Sequence, residues 1–102
     1  MRRVINGLLY DTDTAKLIHE WSNDMSARDF KHCEESLYLT SKGAWFLHGV
    51  GGALSPYAQP VSGGRTGGEE LRLMSPSAAQ QWLEDRRADA DVIAKHFKIA
   101  EA

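Results

Sequence analysis

Residues 49–68 constrain this chain more than any other stretch. They hold seven of the nine glycines (49, 51, 52, 63, 64, 67 and 68) and two of the three prolines. Such a segment cannot pack as a helix, and it makes a poor central strand. It therefore reads as a long glycine-rich loop, of the kind that is functional or mobile inside a compact domain. The rest of the fold has to be built on either side of it.

On the N-terminal side, Val4-Ile5 and Leu8-Leu9-Tyr10 flank Asn6-Gly7. Both turn residues tolerate the positive φ of a tight hairpin, so Arg2 to Asp11 is expected to form one. Asp11-Thr12-Asp13-Thr14 reads as a turn or helix cap. Lys16 to Ser22 fits a helix through Leu17, Ile18 and Trp21, and a strand through Leu17, His19 and Trp21; seven residues leave both open. Asn23 to Ala27 is polar and irregular. Ser36 to Val50 carries the clearest sheet signal, with aromatic and branched arms around Ser41-Lys42-Gly43. Glu70 to Met74 adds a strand.

On the C-terminal side, Ser75 and Pro76 are a helix cap and a first helical residue. Ala79, Leu83, Arg86, Ala90, Ile93 and Phe97 form the inward row, widened by Trp82. Asp89 is placed to cap a second short helix. The expected fold is one α+β domain spanning 1–102: an antiparallel sheet of about four or five strands (1–74) packed on one or two C-terminal helices (75–98). Trp45 or Phe46, with Leu37, Leu39, Leu47, Leu71 and Leu73, should meet Trp82, Leu83, Ile93 and Phe97.

Composition narrows the function classes. The chain has 102 residues, 42% hydrophobic and 25% charged, with formal net charge −2. That balance excludes a polybasic nucleic-acid binder and a disordered chain. No apolar run approaches the roughly 20 residues of a membrane span, and Met1 is not followed by a signal-peptide pattern. The single Cys33 fits a reducing compartment, so a cytoplasmic protein is expected.

Several chemistries are tested by the motifs. Ser62-Gly63-Gly64-Arg65-Thr66-Gly67-Gly68 has an arginine among glycines. It lacks phosphate-loop spacing, and Glu69-Glu70 follow it. His19, His32, Cys33, His48 and His96 show no zinc-ligand spacing, so neither a metal nor a cofactor is expected. Nothing local marks Cys33 or a serine as an activated nucleophile. The doublets Glu34-Glu35 and Glu69-Glu70 read as solvated. Trp21, Trp45, Phe46, Trp82 and Phe97 read as core.

Contact residues are sought in the loop and on the helices. Tyr57, beside Ser55-Pro56, and Arg65 are the candidate anchor pair, because tyrosine and arginine suit interfaces. Glu84, Asp85, Asp89 and Asp91 outnumber Arg86 and Arg87 on the helix surface. That surface is a solvated face or a complement to a basic groove on a partner. An alternative is a small nucleic-acid module stacking bases on Trp45 and Tyr38 with help from Arg65. A cysteine–histidine enzyme ranks third.

Asn6-Gly7, Tyr10-Asp11-Thr12, Thr14-Ala15, Trp21-Ser22-Asn23 and Asp29-Phe30 form the first part of a pattern covering nearly the whole chain. Glu35-Ser36-Leu37-Tyr38, Gly43-Ala44-Trp45-Phe46-Leu47, Gly49-Val50-Gly51-Gly52-Ala53 and Gly67-Gly68-Glu69 continue it. The pattern resembles small proteins of bacteriophages, prophages and integrative elements, some of which are anti-CRISPR inhibitors. The resemblance implies a non-enzymatic protein that blocks a host protein, a CRISPR–Cas effector subunit in the first instance. It brings no catalytic residue with it.

Overall fold

A computed structural model describes residues 1–102. The main sheet is antiparallel, in the order β3-β4-β5-β8: Lys16–Ser22, Cys33–Leu39, Trp45–Gly51 and Gly68–Met74. Two short hairpins flank it, β1-β2 (Arg2–Ile5, Leu8–Asp11) and β6-β7 (Gln59–Val61, Gly64–Thr66). Helices α1 (Pro76–Asp85) and α2 (Ala90–His96) close the chain. The α+β expectation holds, with four strands in the main sheet.

Local chemistry explains the elements. Asn6 and Gly7 take φ of 53° and 79°, which the β1-β2 turn requires. Ser75 caps α1 by accepting from the Ala78 N–H at 3.1 Å, with Pro76 in the first turn. Asp89 caps α2 by accepting from Asp91 N–H. Lys16 to Ser22 is a strand with a bulge between Leu17 and His19. Ile18, at the bulge, packs into the helix-side core, while His19 meets Trp82 edge-on. The extra residue breaks the alternation, and so neither simple period fits this segment.

Alternation along the strands sorts the core into two layers. Leu37, Trp45 and Leu47 face Ala79, Trp82, Leu83 and Ile93. Trp45 is stacked by Phe97, with ring centroids 5.2 Å apart. Phe46 and Leu71 point the other way and are covered by Tyr10 of β2. The single expected core is therefore corrected to two. Adjacent strand residues cannot share a face, so Trp45 and Phe46 serve different layers.

The glycine-rich segment is corrected as well. Gly49, Val50 and Gly51 belong to β5, which pairs on both sides. A Cβ at Gly49 would lie 1.9 Å from Tyr57 Cζ, because the tyrosine ring fills the space a side chain would use. A central strand tolerates glycine here since a neighbouring loop supplies the missing packing. Residues 59–66, the other half of the segment, form the β6-β7 hairpin over a Ser62-Gly63 turn.

Candidate functional site

Glu35 is the most heavily engaged side chain in the molecule. It sits on β4 facing the helices and is 7% exposed. One oxygen, Oε1, accepts from Trp82 Nε1–H at 3.0 Å and from Arg86 at 2.7 Å. The other, Oε2, accepts the Tyr57 hydroxyl. Arg86 lies 3.7 Å over the Trp21 ring, and Arg72 4.7 Å over the Tyr57 ring. Burial opposes the carboxylate's charge, but the hydrogen bonds from Tyr57, Trp82 and Arg86 outweigh it and hold Glu35 below its ordinary range. Tyr57 is pushed up by burial and by donating to Glu35.

This cluster revises two expectations. Tyr57 is 1% exposed, so it is not a surface anchor; it folds back over Gly49 and clamps the loop to the sheet. Glu35 is not solvated like its neighbour. Strand alternation sends Glu34 to the open face and Glu35 under α1, where two donors from the helix meet it. Its polar atoms are spent on one another, tying β4, the 55–57 loop and α1 together.

Cys33 is buried beside this cluster. Burial, then the nearby Glu35 charge, push its thiol up, away from the thiolate that nucleophilic chemistry uses. Trp45 is buried under Phe97 and His96, and Tyr38 stacks half-buried on Phe46 on the opposite face of the sheet, so the two rings do not form the shared platform the nucleic-acid alternative describes.

The remaining predicted contacts are exposed but dispersed. Glu84 and Asp85 accept from Gln80 and Gln81 along α1. Asp89 caps α2 and Asp91 lies in its first turn. Arg65 is on β7, remote in topology from both helices.

Sequence reasoning missed the surface on the other side of the sheet. Leu17, Tyr38, Phe46 and Leu73 are consecutive partners across β3, β4, β5 and β8, forming one apolar row over four strands. Tyr10 crosses the middle of the row, meeting Phe46 edge-on at 5.7 Å. Both ends, Leu17 and Leu73, stay exposed. The covering hairpin shows more apolar surface: Val4, Leu8 and Leu9 are 67%, 58% and 50% exposed. The signal was present in the sequence. A two-stranded hairpin can bury one face, and β1-β2 has apolar residues on both.

No protein family, curated protein or solved structure matches this chain. No helix is long and apolar enough to cross a membrane.

Proposed function

We propose that this chain is a stoichiometric, non-enzymatic binding protein that acts by covering the surface of a host protein. The observation that carries the reading is the apolar row Leu17-Tyr38-Phe46-Leu73, exposed at both ends and roofed by a hairpin whose cross-strand pair Val4 and Leu9 faces outward. Phe46 is buried beneath the roof, but Leu17, Leu73, Val4 and Leu9 leave exposed apolar side chains on one side of the molecule, and a group of that kind suits a protein partner. Its members sit on paired strands, so little ordering is needed on docking.

The resemblance to phage and mobile-element proteins supports a host defence complex as the target, with a CRISPR–Cas effector subunit as the specific partner proposed. The exposed carboxylates of Glu84, Asp85, Asp89 and Asp91 lie on the helix side, opposite the row, and take no part in this contact. Inhibition then needs only occupancy of a surface that the effector uses.

Titration of the chain against purified effector complexes tests this. The expected result is saturable, equimolar binding with loss of interference in cells. The paired variant Val4→Lys/Leu9→Glu keeps an attractive cross-strand pair while removing the apolar face. It should bind about tenfold or more weakly with an unchanged thermal midpoint. An absence of binding to every complex, with interference intact, removes the proposal.

A further inference from the structure

A cleft of about 570 Å³ opens at the far end of the sheet from the β1-β2 hairpin. Its floor is backbone. Gly51, Gly52 and Gly67 stand where any Cβ would run into a neighbour: Ser55 and the His32 carbonyl at Gly51, the Phe30 and Asp29 carbonyls at Gly52, and the Gly51 carbonyl at Gly67. The glycines let the 27–32 loop, the end of β5 and the β7-β8 junction close on one another. The size falls in the range of small-ligand sites.

The rim has a distinct chemistry. Arg28, from the 27–32 loop, and Arg65, from β7, both line it; both are exposed and neither is in a salt bridge. The cleft's two carboxylates are held within its rim and not on the arginines: Asp29 accepts the Lys31 N–H at 2.8 Å, and Glu34 faces His32, also a lining residue, at 3.7 Å. Glu69 and Glu70, which follow Arg65 closely in sequence, do not line the cleft. Glu69 faces His48 at 3.2 Å and Glu70 holds Arg72 at 3.2 Å. Beside the two free guanidinium groups stands Phe30, 67% exposed, with its backbone fixed by the Leu54 N–H bonding to the Phe30 carbonyl at 2.7 Å.

We propose that this cleft binds a phosphate ester bearing a planar base: a mononucleotide or the end of a single strand. Arg28 and Arg65 supply forked donors for the phosphate oxygens. Phe30 supplies a face for the base. The site is local, so the chain's net charge of −2 does not oppose it. It is also independent of the docking surface, which lies at the opposite end of β5.

Titrations followed by amide NMR shifts at Gly52 and Gly67 test the assignment, using AMP, inorganic phosphate and a four-nucleotide DNA strand as probes. AMP should bind more tightly than inorganic phosphate. Arg28→Ala and Arg65→Ala should each weaken AMP about tenfold. Phe30→Ala should bring AMP down to the level of phosphate. All three residues are exposed, and unchanged spectra elsewhere report that the variants fold. If the DNA strand binds more tightly than AMP, with a log–log salt slope near −0.7 per phosphate contacted, the source is a strand end; equal affinities assign a free nucleotide. If no probe shifts Gly52 or Gly67, or the shifts survive all three substitutions, the proposal is overturned. Loss of binding to a protein partner in these variants, with no probe bound, would give the cleft to that partner and also overturn it.

Discussion

Glu34 and Glu35 are chain neighbours on β4, yet one is exposed and the other is among the most buried charges in the molecule. The two faces of the sheet differ in the same way. On the helix face, polar atoms are matched inside a closed cluster around Glu35, and apolar residues from β3, β4, β5 and both helices fill the space around it. On the opposite face, a small hairpin covers only the centre of an apolar row and leaves its own outer side bare. The first face is built to hold the fold. The second retains surface for something else to cover. A residue's chemical type therefore says little about its role here; the side of the strand it leaves from says most.

The largest effect should come from separating the two glutamates. Glu35→Ala leaves Arg86, Trp82 and the Tyr57 hydroxyl without their acceptor, and should cost about 3 kcal/mol in urea unfolding; partial exposure of the Arg86 guanidinium keeps the figure at the lower end for a broken buried pair. Glu34→Ala should stay within about 0.5 kcal/mol in the same measurement. Equal costs would erase the contrast between the faces.

A second, smaller effect concerns the clamp. Gly49→Ala should cost about 2 kcal/mol, since the new methyl would overlap the end of the Tyr57 ring. In a Tyr57→Leu background, which removes that ring end, the same change should cost little. Additive costs in the double variant would mean that the ring is not what excludes a side chain at residue 49.

The smallest effect should be the acid dependence. The Glu35 carboxyl lies below its ordinary 4.5 in the folded chain. The unfolded chain therefore takes up its proton first as pH falls, and stability present above about 4.5 is lost as pH drops through the folded value. Urea midpoints of the wild type should fall across that window, and those of Glu35→Ala should fall less steeply. Parallel curves would show that another group carries the acid sensitivity.

Much of the fold was legible because short-range rules govern it. Asn6-Gly7, Ser75-Pro76 and Asp89 each specify a turn or a cap through their own backbone chemistry, and the strand arms around Gly43 alternate as strands do. What was not legible depends on partners distant in the chain. Glu35 reads as one of a solvated pair until Trp82 and Arg86, 47 and 51 residues away, arrive over it. Tyr57 reads as a loop residue until Gly49 is seen to leave room for its ring. The bulge in β3 hid its own strand by spoiling the period. The apolar row is invisible to any window along the sequence, because each of its four members comes from a different strand.

The separation between Glu35 and Arg86 also bears on how the chain is made. Synthesis proceeds from the N-terminus, so the strands around β4 are made before the residues that neutralise their interior carboxylate. A nascent chain ending at Met74 has every strand but no guanidinium or indole from α1 for that charge. Neutralisation of Glu35 thus waits on a segment made after all four strands of the main sheet, and α1 locks from above what was made before it.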